Sequence, residues 1–438
     1  MRKSLLLLLA TGCITVAGYA QQIKEKEVAR IIGTLAADDM QGRFPGTPGI
    51  EKAAQFISGE FEKAGLQPLP GEKGFLEEFS KYSLQQSSVS FTVSGQQKDW
   101  PVIPLGNSRS FNWEKDTNYA VVHVKDPGEL IKILYSADSV KKNTLVWMDA
   151  SLVGYLGNIR ASFSEHSYDS IAQLERVAVN APKKQVILAF EKEPVADTAS
   201  WSIHIDRTIK STHFANVGGM IKGSTKPDEY VVFSGHYDHL GILPAVAGDS
   251  IANGADDDAS GTTAVIMLSK YFKQLHPARS VIFVAFTAEE SGGYGSRYFS
   301  KKQDPDKVVA MFNIEMIGKE SKFGKNSAFI TGFEKSDFGP ILQRNLKGST
   351  FNFYPDPYPE QGLFYRSDNA TLARLGVPAH TISTTQIDKD KFYHTVGDEV
   401  KTLDITNITD IIKAIAVSST SIVNGTDTPT RIAKESSK

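Results

Sequence analysis

The sequence has a single cysteine, Cys13, and no apolar run approaching the roughly 20 residues that a membrane-spanning helix needs. It also lacks a charge imbalance: Lys+Arg 48 against Asp+Glu 50 leaves a formal net charge of −2, and no stretch is basic enough to follow a phosphate backbone. These shortages exclude a disulfide framework, a membrane span and a nucleic-acid partner. What is present is globular in texture, with 41% hydrophobic and 22% charged residues. A chain of 438 residues suits one large domain, or one domain carrying a substantial insertion.

Arg2 and Lys3 precede an apolar stretch from Leu5 to Ala10 that continues loosely to Val16, and Gly18-Tyr19-Ala20 forms a small-x-small site. That order reads as a secretory signal peptide over 1–20, which predicts export to the periplasm or the exterior. Ala10-Thr11-Gly12-Cys13 also resembles a lipoprotein cleavage box, with Ala10 where a larger aliphatic residue is usual, so a lipid anchor at Cys13 is the competing reading. Cleavage after Ala20 leaves a mature chain without cysteine. A metal there must be held by histidines and carboxylates.

Helical periodicity is expected over 25–35 and 49–64, within an N-terminal part spanning 21–70. Residues 71–202 differ in texture, with short alternating stretches such as Val89-Ser90-Phe91-Thr92-Val93, and read as an inserted β-rich or α+β segment. From 203 to 425 strands alternate with helices, which predicts an α/β fold: a mainly parallel mixed sheet covered by helices on both faces. A polar tail, 426–438, follows.

Ligand sites in such sheets form at the carboxyl ends of strands. The expected strand Tyr230–Phe233 runs into Ser234-Gly235-His236-Tyr237-Asp238-His239, a second ends at Thr287-Ala288-Glu289-Glu290, and a third at Asn313-Ile314-Glu315. Asn253-Gly254-Ala255-Asp256-Asp257-Asp258 precedes a helix, and Tyr393-His394 lies far downstream. Gathering Asp257, Glu289, Glu290 and Glu315 costs several kcal/mol per ion unless positive charge is close, and no Lys or Arg lies inside these segments. A divalent metal pair supplies that charge. Without sulfur ligands zinc is favoured, with manganese or cobalt as substitutes.

Two metals need two terminal sets and a shared carboxylate. His236 with Glu315, and Glu290 with His394, make the sets, and Asp257 the bridge. Asp238 stands two residues from His236, placed to accept its second ring N–H. Glu289 is then free to take a proton. Asp258 and Ser260 suit helix capping as well as they suit the site. His123, His166, His204, His213, His276 and His380 read as ordinary surface or core histidines.

The segments SGHYDHLG, NGADDDASG, FTAEESGGYGS, FNIEMIG, RSDNATL and FYHTVGDE stand in the order and spacing of the co-catalytic di-zinc exopeptidases. The sequence resembles that family from about Phe214 to Val423, and LAADDMQGRFPGTPGIEKAAQFI is similar to its N-terminal region. The family includes secreted bacterial leucyl aminopeptidases, glutamate carboxypeptidase II and, more distantly, glutaminyl cyclases and transferrin-receptor-like domains. The resemblance implies a zinc-aminopeptidase-like phosphorylase/hydrolase fold with the catalytic core at 203–425. It implies His236, Asp257, Glu290, Glu315 and His394 as ligands of two zinc ions, with Asp257 bridging and Asp238 orienting His236. Glu289 matches the general base that deprotonates a metal-bridged water. Many relatives carry Asp where Glu315 stands; the extra methylene displaces the carboxylate by about 1.5 Å and predicts a weaker His236 site. Tyr365 is expected either as an additional oxyanion donor or as a packed aromatic on the pocket wall. Relatives often insert a protease-associated domain near 71–202. The implied activity is removal of N-terminal residues from peptides. The alternatives are a carboxypeptidase or dipeptidase, a single-zinc glutaminyl cyclase, and a non-catalytic receptor-like domain.

Overall fold

The computed structural model describes residues 23–116, 118–160, 166–180 and 184–435, so the expected signal peptide over 1–20 and Cys13 lie outside the described residues. The chain forms two compact units: one takes the described residues through Phe79 and from Phe214 onward, the other is Ser80–His213.

In the first unit, helix α1 (Glu25–Leu35) buries Val28, Ile31, Ile32 and Leu35, the i, i+3, i+4, i+7 spacing of a helix with one apolar face. Helix α2 (Pro48–Lys63) begins one residue before the expected start, because Pro48 supplies a preset φ at a position whose N–H has no helical partner. The sheet is built from β1 (Trp201–Ile221, through its C-terminal part), β2 (Lys226–His236), β3 (Arg279–Phe286), β4 (Val308–Ile314), β5 (Ser327–Ile330), β6 (Asn352–Pro355) and β7 (Ala379–Ser383). Its order is β6-β5-β7-β4-β2-β3-β1. The central neighbours β3, β2, β4 and β7 run parallel, whereas β1 is antiparallel to β3 and β5 to β7.

Every residue of β3 is buried, as a strand covered on both faces requires. Alternation then divides the core. Val231, Phe233, Val281 and Phe283 face the layer that contains α1, α2, α3 (Gly261–Lys273) and α7 (Ile405–Val423). Val232, Ile282 and Val284 face Phe299 of α4 (Tyr294–Lys302) and Leu372 of α6 (Asn369–Ala373). Phe233 stacks on Phe272, Phe283 and Phe312 at ring-centroid distances of 5.3, 5.6 and 4.7 Å. Truncating it to Ala costs about 3–5 kcal/mol in a core of this kind.

The sequence reading had no element for β5, α5 (Phe338–Asn345) or β6, nor for the hairpin Gly241–Val246 with Asp249–Ala252. The strands β5 and β6 have four residues each, too few to show a period.

The second unit carries a four-stranded sheet in the order Val102–Pro104, Val186–Glu191, Asn143–Asp149, Tyr119–Val124. Its last three strands are parallel and its first antiparallel. Helices Pro127–Ser136 and Ile171–Val179 accompany it, the first capped by Asp126, which accepts from Gly128 N and Glu129 N. One of its cores is aromatic, with Phe91, Trp100, Phe111, Trp113, Trp147 and Trp201 buried together.

Candidate metal centre

The carboxyl ends of β2, β3 and β4 lie side by side, and each delivers candidate site residues at its last residue or just beyond: His236, Glu289 with Glu290, and Glu315. A wide turn over Ala255–Ser260 adds Asp257, and the loop between β7 and α7 adds His394. The structure thus brings the predicted ligands to one sheet edge. Ala288, Met316 and His394 all adopt left-handed backbone conformations there (φ 57°, 52° and 57°), a strain that persists where surrounding contacts dictate it.

Asp257 is central. Its Oδ1 lies 3.2 Å from His236 Nε2 and its Oδ2 lies 3.3 Å from His394 Nε2. His394 Nε2 is also 3.2 Å from Glu290 Oε2. The reading from sequence missed His239, whose Nδ1 stands 3.0 Å from Glu290 Oε1 and 3.8 Å from Asp257 Oδ2. His239, Asp257 and Glu290 offer ligand atoms within 4.8 Å of one another. Gly254 backs this imidazole: with φ +56° and an added Cβ only 2.5 Å from His239 Cγ, no other residue fits without displacing the ring.

The acids beside the ligands hold backbone. Asp258 accepts from His236 N through Oδ2, and from Gly261 N and Met316 N through Oδ1, so it caps α3 and fixes two ligand strands at once. Asp398 accepts from the amides of Asp256 and Asp257. Asp256 accepts from Gly318 N and pairs with Lys319 at 3.3 Å. Asp238 departs from its expected geometry: the nearest acceptor for His236 Nδ1–H is the main-chain carbonyl of Asp238 at 3.2 Å, with the carboxylate at 3.7 Å. That carboxylate accepts from Glu289 N and Glu290 N, setting the turn that presents both glutamates.

Two cations from outside the acid-bearing segments come close to the acids. Lys319 reaches Asp390, Asp256 and Asp398. Arg43, fully buried, donates to the carbonyls of Tyr237, Leu35, Asn253 and Gly254, clasping the His236 and Asp257 loops from behind. Arg43 lies within the N-terminal segment quoted above and Lys319 directly follows FNIEMIG, but only the fold shows that each meets the site.

The titration pattern follows. Burial drives Glu289 well above the usual carboxylate range, and neighbouring Glu315 adds to the effect. Burial likewise pushes Glu315 up to about 7. Burial opposes ionisation of Asp257 too, but the His236 and His394 imidazoles beside it hold it well below its ordinary value. His394 rises to about 10: burial lowers it, and the Asp257 and Glu290 carboxylates more than compensate. The carboxylates therefore draw protons onto the imidazoles. His236 Nε2 is buried and has no aligned hydrogen-bond partner. A divalent cation among these donors satisfies both observations, and two imidazoles with three carboxylates suit zinc.

A pocket of about 120 Å³ opens over the cluster, lined by Asp257, Glu289, Glu290, Glu315, Tyr393 and His394 among others. Tyr365 does not line it. Its ring lies 4.8 Å from the Arg374 guanidinium, and its hydroxyl bonds Glu435, so of its two expected roles the oxyanion donor is not the one its position serves. The phenol at the pocket is Tyr393, which the sequence reading passed over although it precedes His394. Among the histidines read as ordinary, His380 is fully buried and satisfied by Ser336 Oγ and Thr331 O.

Residues 216–419 match the model of peptidase family M28. The M28 stretch contains every candidate ligand, and the resemblance to co-catalytic zinc exopeptidases holds at the level of the family. A probable zinc metalloprotease of Pyrenophora teres f. teres is 33% identical over 130 residues, which is 28% of this chain and 28% of that protein's length. The chain therefore aligns with well under a third of that curated relative. The aminopeptidase from Aneurinibacillus sp. strain AM-1 shares the fold, with a TM-score of 0.54, 16% identity and coverage of 96% of this chain and 98% of its own. The peptidase M28 precursor from Shewanella amazonensis is similar in the same way, at TM-score 0.53 and 16% identity over 96% and 98% of the two chains.

Proposed function

We propose that this chain is an exported zinc-dependent exopeptidase, an aminopeptidase that hydrolyses N-terminal residues of peptides. The M28 match and the aminopeptidase title of a similar fold support the reading. His236, Asp257, Glu290, Glu315 and His394 would hold two zinc ions, with Asp257 shared between them. Bound zinc supplies polarisation of the scissile carbonyl and acidification of water.

The observation that carries the reading is the position of Glu289. It lines the pocket beside the ligands, and its amide is fixed by Asp238 Oδ1 at 3.0 Å. Its raised proton affinity suits a base that takes a proton from the attacking water and returns it to the leaving amine. Tyr393 lines the same pocket, and its O–H would donate to the carbonyl oxygen as negative charge develops. The acidic wall favours a substrate that presents an ammonium group, hence a free N-terminus. Among the described residues no helix is long and apolar enough to cross a membrane.

An arylamide panel on purified protein tests this. A free-amine amino-acid arylamide should be hydrolysed and its N-acetyl derivative should not. Cleavage of the acetylated form at an equal rate would overturn the aminopeptidase reading.

A further inference from the structure

The pocket over the cluster is not acidic throughout. Arg366 also lines it, and so do Phe329, Leu363 and Ile387. Elsewhere in the chain Arg30, Arg109, Arg279, Arg344 and Arg374 each pair with a carboxylate. Arg366 carries no ion pair among the described residues; its guanidinium has only a long contact, 3.5 Å, from Nη1 to the Gln361 carbonyl.

A second observation lies in the same pocket. Thr385 is 7% exposed and lines the pocket, and its Oγ1 is buried without a hydrogen-bond partner. A buried hydroxyl with no partner costs about 1–3 kcal/mol unless something completes it. A guanidinium with unused donors and a hydroxyl with an unused proton, beside apolar side chains, match one chemical group: a carboxylate, which accepts paired N–H bonds from arginine and an O–H bond from threonine.

We propose that Arg366, with Thr385, selects substrates that carry a carboxylate. The proposal rests on the peptidase reading and extends it to a substrate class: short peptides whose ammonium end meets the acidic wall while a carboxylate reaches Arg366. That carboxylate has two sources, an acidic side chain on the N-terminal residue or the C-terminal carboxyl of a dipeptide.

Two pairs of substrates separate the sources: glutamyl- against leucyl-arylamide, and Leu-Leu against its C-terminal amide, each as kcat/KM for the zinc-loaded protein. The account expects one pair to favour the carboxylate form by about tenfold or more, with the difference in KM. Arg366→Gln should collapse that ratio towards one, and Thr385→Val should reduce it by less. A ratio that survives Arg366→Gln means that the carboxylate is held elsewhere, for example by zinc itself, and overturns the proposal; so do ratios near one in both pairs. The same comparison read as Kd by calorimetry, on zinc-loaded Glu289→Gln protein, needs no turnover. It therefore separates failure of this proposal from failure of the peptidase reading. Equal Kd values within both pairs would overturn the Arg366 assignment even if no substrate were cleaved.

Discussion

All four tryptophans, Trp100, Trp113, Trp147 and Trp201, are buried in the Ser80–His213 unit, whereas His236, His239, Asp257, Glu290 and Glu315 lie at the sheet edge of the other. The Ser80–His213 unit buries mainly what water rejects. The other unit also buries what water holds tightly: its acids are held by backbone amides, by Lys319 and by the imidazoles themselves, while buried Arg43 binds the carbonyls of the loops that carry them. Charge is gathered at one edge at a cost in desolvation, a cost met where it serves a ligand. The two units should therefore respond differently to metal, acid and substitution.

The largest effect expected is on chemistry. Glu289→Gln keeps shape and removes the base, so turnover should fall by roughly 10²–10⁴-fold with zinc content unchanged. Zinc stoichiometry and kcat on one preparation check this; a fully loaded variant with near-parental kcat removes Glu289 from the mechanism.

Acid should weaken the M28-matching unit first. His380 is buried neutral with its pKa lowered to about 4 by burial. The unfolded chain binds a proton below about pH 6.5 while the folded chain refuses it until about 4, so stability falls as pH drops through that window. The upper bound is about 3 kcal/mol. His380→Gln should flatten that part of the stability curve in denaturant titrations. An unchanged slope would mean that His380 is not the group responsible.

Next come the neighbouring acids. Asp257→Asn should lower zinc affinity by about 10–100-fold or more, since it removes charge from the shared ligand. Asp256→Asn should do less, because Asp256 serves Gly318 N and Lys319 rather than the pocket. Equilibrium dialysis on the pair decides it; greater damage from Asp256→Asn reverses the assignment.

The smallest effect expected is none. Removing zinc with a chelator should lower the thermal stability of the first unit by mass action and leave tryptophan emission unaltered at temperatures where the protein stays folded. A shift of the emission maximum on chelation would show that the two units do not respond separately.

Much of this was legible in the sequence, and the reason is local. His236, Glu289, Glu290 and Glu315 sit at or just past the ends of apolar strand runs, so periodicity and position place them together. Strand β4 has the bounds expected, Val308–Ile314, because it is an apolar run interrupted only by Asn313. What escaped depends on contacts between distant segments. Arg43 meets Asn253 across 210 residues of chain, and Lys319 meets Asp390 across 71. Tyr365 and Tyr393 show the same limit: one stands just before a motif and the other within one, and only the fold decides which lines the pocket. A stronger reading of Gly254 was available, since a glycine next to an acid run signals a close approach, here by His239.

The measurement that tests the central claim most directly is zinc-edge anomalous diffraction from crystals of the zinc-loaded protein. The account predicts two peaks, both next to Asp257, one with His236 and Glu315 and the other with Glu290 and His394. A single peak held by His239, Asp257 and Glu290, or zinc bound away from this sheet edge, would contradict it.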